Sequence, residues 1–309
     1  MKKLEPTATR ATEGAEMRVR ERNEHTIAER VRLSGRGYWS GEGVNLRFLP
    51  AAAGTGIRFV RTDLPGKPEI PVAPDNRHDQ ALRTVLQVDG ARVEMIEHLL
   101  AALGGLAIDN CRVEVDRQEL PGLDGSAAGY VDMLRSAGLV MQGQSRRRIV
   151  VDRPLRVGDA GGWVEALPSP DGMMHLEYRL DYGGDSPIRP QTFRCVLTPE
   201  NFCRDLAPAR TFVTKEQATQ LRQAGLGKHV TNRDLLVFGD SGPVDNLLRY
   251  VDECARHKTL DLVGDLNVVG ADLIGCFTSY RGGHQLNGKL ATELIAAANC
   301  VSAGCRGAA

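Results

Sequence analysis

Glu97-His98-Leu99-Leu100-Ala101-Ala102-Leu103-Gly104-Gly105 and His257-Lys258-Thr259-Leu260-Asp261-Leu262-Val263-Gly264 are the two stretches on which the fold turns. Each carries a histidine followed by a leucine five positions on and a glycine seven on. Leucine and glycine are common, so the echo says little by itself. It gains weight because the surrounding order also repeats, strands first and helices after. Two similar α+β halves facing each other are expected, with a site at their junction.

Working outward, residues 1–24 are rich in Glu, Arg and Thr and read as a mobile tail. From His25 a β-rich stretch begins. Val44, Leu46 and Phe48 alternate, as do Ile57 and Phe59, with residues 50–56 connecting them. Residues 65–91 hold four prolines and several charges and read as a loop or small insertion. An apolar helix is expected over Val93–Leu103 and a strand through Cys111, Val113 and Val115. A second helix over Ser126–Ala137 stops at Gly138. The polar, basic segment Gln142–Arg148 marks the boundary, giving domains at 25–145 and 146–309.

In the second domain, strands are expected near Arg148–Val157, Trp163–Leu167, His175–Tyr182 and Thr192–Leu197. A helix at Lys215–Ala224 and a strand at Leu235–Phe238 follow. Helices at Leu247–Val269, interrupted near Gly264, and Asn287–Cys300 flank a strand at Phe277–Tyr280.

Composition narrows the function. In 309 residues, 39 basic groups balance 39 acidic ones, so no electrostatic footprint for nucleic acid or an anionic membrane exists. No run approaches the roughly 20 apolar residues of a transmembrane segment. The N-terminus lacks the apolar core of a signal peptide, so a cytoplasmic protein is expected. Seven cysteines form no C-x-x-C pair, which suits reduced, mostly buried thiols. Cys254 and His257 lack the second pair that a structural zinc site would need.

On a helix, His257 and Asp261 lie above one another and can converge on one point. With His98 they make two nitrogens and one oxygen, a set that catalytic zinc uses while keeping a fourth position open. The bland alternatives are a satisfied core histidine at position 98 and a surface ion pair at 257 and 261. Against them, Glu97 would be a second costly ionisable group at the edge of an apolar helix. Leu260, Leu262 and Val263 interleave with the polar residues, and Asp265 extends their stripe by a turn. Glu97 stands where a base for a zinc-activated water is wanted.

His284 follows Arg281-Gly282-Gly283 and reads as a loop histidine that Asp265 could hold as a cation. Lys258 is either an anion-binding group or a plain helix charge. Thr211, in Arg210-Thr211-Phe212, is either a helix cap or a site hydroxyl. Asp124-Gly125-Ser126 makes a turn. No Walker loop, G-x-G-x-x-G or G-x-S-x-G elbow is present.

Ile96-Glu97-His98-Leu99, Leu123-Asp124-Gly125-Ser126-Ala127, Arg210-Thr211-Phe212, Arg256-His257-Lys258 through Asp261 with Gly264-Asp265-Leu266, and Gly283-His284 together resemble one family. It is UDP-3-O-acyl-N-acetylglucosamine deacetylase, the zinc hydrolase of the committed step of lipid A biosynthesis. The similarity runs from about His25 to Ala298.

The resemblance implies an α+β fold of two domains, each a sheet with a helical layer, the helices packed together between the sheets. It also implies insertions near 70–91 and 213–240. It implies zinc on His98, His257 and Asp261, Glu97 as general base, and His284 supported by Asp265 as the cationic acid. Thr211 would lie near the oxyanion, Lys258 near substrate and Phe212 along an acyl passage. The implied partner is a UDP-linked acylated amino sugar; a monomer is expected.

Two positions depart from the family pattern. His229-Val230-Thr231 stands where a Gly-Gly-Ser stretch is usual, and Gly162 replaces a lysine before Trp163. These bear on acyl-chain preference and nucleotide contacts. A zinc amidohydrolase for another acylated sugar is the nearest rival, separable by assaying simpler N-acetyl sugars. A non-catalytic nucleotide-sugar or acyl-chain binder would instead show a broken triad or lack the base.

Overall fold

The computed structural model describes residues 21–304. Positions 1–20 of the expected tail lie outside the described residues. Asn23 and Glu24, also expected in the tail, belong to the strand Asn23–Ile27, which pairs antiparallel with Leu139–Ser145. That partner strand takes in residues 142–145 of the expected boundary segment, because Gln142 accepts from Asn110 and donates to the Ala51 carbonyl.

Alternation builds the main sheets. Along Gly43–Pro50, Val44, Leu46 and Phe48 are buried while their neighbours are exposed or half-buried. A two-residue period on a sheet with one wet face requires this. The first sheet runs Val31–Arg36, Gly43–Pro50, Cys111–Val115, Ile57–Arg61, Glu69–Pro71. The second runs Leu155–Asp159, Gly162–Leu167, Asp272–Tyr280, Met174–Leu180, Gln191–Val196, with Arg148–Val150 added beside the start of Asp272–Tyr280. In both, the last strand in sequence slots between the second and third. It is antiparallel to the former and parallel to the latter. The halves share one topology.

The described residues form six α-helices in order: α1 (Glu97–Gly105), α2 (Ala128–Ser136), α3 (Pro199–Asn201, a single turn), α4 (Lys215–Gln223), α5 (Glu253–Leu266) and α6 (His284–Gly304). By position in the repeat, α1 corresponds to α5 and α2 to α6. α2 packs on the first sheet, α5 and α6 on the second, and α1 meets α5 between them. Glycine makes that approach possible. A Cβ on Gly264 would lie 2.1 Å from the backbone oxygen of Glu97, and Asn267 Nδ2 donates to the Leu100 carbonyl at 3.0 Å. One buried apolar cluster spans both halves.

Each half carries a small extra sheet. In the first it is Arg77–Gln80, Arg83–Val88 and Ala91–Glu94. In the second it is Phe212–Thr214, Leu236–Gly239 and Gly242–Pro243, with α4 beside it.

Several boundaries differ from expectation. Val93 pairs with Leu86 in a strand, so α1 begins only at Glu97. A short apolar run does not separate strand from helix until its partner is known. Met95, with φ 61°, makes the turn between them. α5 starts at Glu253, not at 247, because Arg210 binds the Leu247 carbonyl and Arg249 binds Asp124, holding that approach out of the helix. It runs unbroken through Gly264. α6 begins at His284 itself. Among the described residues, no helix is long and apolar enough to cross a membrane.

Candidate active site

His98 sits in the first turn of α1, and His257 and Asp261 lie one turn apart on α5, so helix pairing brings all three together. Their ligand atoms fall within 4.8 Å of one another. Asp261 Oδ1 is 3.4 Å from His257 Nε2 and 3.7 Å from His98 Nε2. The two imidazoles meet edge to face with centroids 5.0 Å apart. All three side chains are buried.

The chemistry of the three donors suits a cation. His257 Nδ1 lies 3.1 Å from the Ala209 carbonyl, which only accepts, so Nδ1 carries the proton and Nε2 presents its lone pair. Burial lowers the pKa of both histidines, His98 to about 3, with the neighbouring His257 adding to that fall. Both rings are therefore neutral. Asp261 Oδ1 is buried without a hydrogen-bond partner. Burial opposes charge on Asp261, but Lys258 and the histidines outweigh it and hold the carboxyl well below the usual range. The His257 lone pair and the unpaired carboxylate oxygen face one point beside His98 Nε2, and they repel unless a positive charge lies between them. The residues fit a metal.

The groups around the set hold it in shape. Lys258 Nζ donates to Asp261 Oδ2 at 2.7 Å, leaving Oδ1 for an ion. Arg210, buried, pairs with Glu253 at 2.8 and 3.1 Å. That pair ties the start of α5 to the segment that supplies the Ala209 carbonyl and Thr211.

Glu97 adjoins His98 and is buried, and its Oε2 accepts from the Thr84 backbone N–H at 3.0 Å. Burial raises its pKa to about 7, with the charges of Asp261 and Asp265 pushing the same way against His284. His284 behaves oppositely. Burial would lower its pKa, but Asp265, bound to Nδ1 at 2.8 Å, overrides that and raises it to about 9.

Thr211 and Phe212 line a cavity of about 990 Å³ that also takes in Glu97, His257, Lys258 and Asp261. The second insertion contributes apolar Leu221, Leu226, Val230 and Val237 to its lining, together with Gln217, Gln220 and Arg222. Phe212 packs edge-on against His257 at 6.1 Å. The site residues expected from the sequence are thus gathered at one cavity, with Asp265 just behind it. Asp124 accepts from Ser126 at 2.7 Å as a turn should, and it also holds Arg249.

Comparison with known proteins agrees with this geometry. Residues 24–296 match the family model described as LpxC, UDP-3-O-acyl N-acetylglycosamine deacetylase. The chain belongs to that family. A UDP-3-O-acyl-N-acetylglucosamine deacetylase of Anaeromyxobacter sp. (strain Fw109-5) is 39% identical over 280 residues, 90% of each chain. Another, of Thermosynechococcus vestitus (strain NIES-2133 / IAM M-273 / BP-1), is 39% identical over 272 residues, 88% of this chain and 93% of the relative.

In this member of the deacetylase family, three contributors escaped the sequence. The Ala209 carbonyl has no side-chain signature. Asn287, which donates to Asp265 at 2.8 Å, stands three positions after His284, a spacing that a helix starting at 284 would have exposed. Thr84 lies in a segment whose sequence reads only as a loop or small insertion. The departures are placed as well. His229 Nε2 lies 2.9 Å from the Gly37 carbonyl, joining the second insertion to the first half. A Cβ on Gly162 would face the Arg281 backbone at 3.1 Å.

Proposed function

We propose that the chain hydrolyses the N-acetyl group of UDP-3-O-acyl-N-acetylglucosamine, giving UDP-3-O-acyl-glucosamine and acetate in the committed step of lipid A biosynthesis, with zinc as its metal. Family membership over most of the chain supports the reaction. The observation that carries the metal is the buried, unpartnered Asp261 Oδ1 facing the Nε2 atoms of two buried imidazoles. Zinc suits two nitrogens and one oxygen, and when bound by His98, His257 and Asp261 it supplies Lewis acidity.

Glu97 takes the proton of the attacking water. A carboxyl pKa raised to about 7 suits a base working near neutrality. His284, kept cationic by Asp265, and the Thr211 hydroxyl meet the negative charge that develops on the amide oxygen. Losing one such contact typically costs about 10² to 10³ in rate. The departing nitrogen takes a proton from His284 or from Glu97, leaving amine and acetate. Phe212 and the apolar side chains that the second insertion puts into the cavity receive the acyl chain, and Lys258 faces substrate as well as Asp261. A cytoplasmic monomer is the proposed setting. Cys111, Cys195, Cys203, Cys254 and Cys276 are free, as a reducing compartment leaves them.

Purified chain is expected to release acetate from the UDP-linked acylated sugar far faster than from simple N-acetyl sugars. Glu97→Ala should bind zinc as the wild type does yet lose about 10² to 10⁴ in turnover, the usual worth of a positioned base. Near wild-type turnover in that variant would remove Glu97 from the role.

A further inference from the structure

The small sheet of the first half contributes one residue that touches both sides of the proposed proton machinery. Thr84 is fully buried near the start of the strand Arg83–Val88. Its backbone N–H donates to Glu97 Oε2 at 3.0 Å, and its hydroxyl donates to Asp265 Oδ1. The other oxygen of Asp265 accepts from His284 Nδ1 and Asn287 Nδ2, both at 2.8 Å. The Thr84 hydroxyl is therefore the one described hydrogen-bond donor to Oδ1. It also lies 3.4 Å from His284 Nδ1. A carboxylate only accepts, so the hydroxyl proton must point at Asp265 and fixes that carboxylate plane. The plane in turn sets the imidazole of His284.

We infer that Thr84 is a positioning residue, joining Glu97 on α1 to the Asp265–His284 pair of the second half and holding them at one spacing across the junction. The same small sheet grips α6 a second time. The Arg77 guanidinium donates to the His284 carbonyl and lies where Gly288 leaves room for it, since a Cβ there would be 2.2 Å from the guanidinium. The first insertion is thus more than a rim of the cavity; it aligns a group on the opposite half. Removing the hydroxyl leaves Asp265 Oδ1 buried without its donor and frees the carboxylate to rotate. The backbone contact to Glu97 survives, so the two groups lose their common tether while each remains present.

This inference rests on the roles proposed above for Glu97 and His284. Its test compares Thr84→Val, which removes the hydroxyl at equal shape, with Thr84→Ser, which keeps it, in the full chain loaded with zinc. Thr84→Val should lower kcat about 10- to 100-fold, the range typical of groups that orient metal-site residues. KM should stay near the wild-type value and zinc content should not change, and Thr84→Ser should recover most of the loss. Unchanged kcat in Thr84→Val, or no recovery in a folded Thr84→Ser, would overturn it. If Thr84→Val does not fold, Thr84→Ala carries the same expectation, and equal kcat for Ala and Ser overturns the inference. If the wild-type chain turns over no UDP-linked acylated sugar, the functional reading falls instead. A crystal structure of Thr84→Ala then decides the positioning alone: displaced Asp265 and His284 side chains support it, and unmoved ones overturn it.

Discussion

Helices α1 and α5 occupy the same place in two copies of one topology, yet only one of them is rich in chemistry. Four residues after His98 stands Ala102, and four after His257 stands Asp261. Leu99 on the first and Leu106 just past its end correspond to Lys258 and Asp265 on the second. On α1 every residue from Leu99 to Leu103 is buried and apolar. α5 buries His257, Asp261 and Asp265 among its leucines. The shared topology sets two equivalent helices side by side, and close packing at Gly264 puts one histidine from each at a shared point. Charge is concentrated on one helix while the other keeps the packing that holds the junction together.

That division of labour can be tested through pH, where the largest effect is expected. The first half supplies Glu97, whose pKa is raised to about 7, and the second supplies His284, raised to about 9. Below about 7 Glu97 takes up a proton and can no longer act as base, so activity should fall tenfold per unit on the acid side. Above about 9 His284 loses its proton and the cation disappears, so activity should fall again. A kcat/KM profile should be bell-shaped between these limits. Asp265→Asn should pull in the alkaline limb and, because the Asp265 charge also raises Glu97, move the acid limb to lower pH by a smaller step. Movement of the acid limb alone would reverse the assignments.

A smaller effect separates the two glycines of the repeat. A Cβ on Gly264 would meet the Glu97 carbonyl, which is backbone and cannot yield, at 2.1 Å. A Cβ on Gly105 would meet the ring of Phe202 at 2.3 Å, and a ring can turn if its pocket relaxes. Both substitutions should destabilise, by about 1–3 kcal/mol for overpacking. Gly264→Ala should sit at the upper end and also shift Glu97. Chemical unfolding of both variants ranks them, and a milder Gly264→Ala would mean that the helices can slide.

Much of this was legible in the sequence because the relevant signals are periodic. The four-residue spacing of His257 and Asp261, the alternation at Val44, Leu46 and Phe48, and the repeated leucine and glycine offsets all report local geometry. What escaped depends on partners far along the chain. Val93 is a strand residue only because Leu86 lies opposite it. His284 read as a loop residue because two glycines precede it, yet those glycines end a connection and α6 starts at the histidine. Arg22 sat in an expected tail, but it binds Asp109 of the first half and Asp272 of the second at 2.6–2.8 Å. Such a clasp has no short-range signature. Thr84 was hidden for the same reason, since neither of its acceptors is near it in sequence.

Metal content is the most direct test of a cation shared between the halves. Elemental analysis of purified wild-type chain should find one zinc per molecule. His98→Ala should lose it as fully as Asp261→Ala does, although the two changes lie on different halves. Full retention of zinc in a folded His98→Ala would mean that the second half binds its metal alone, and the account of a site built across the junction would fail.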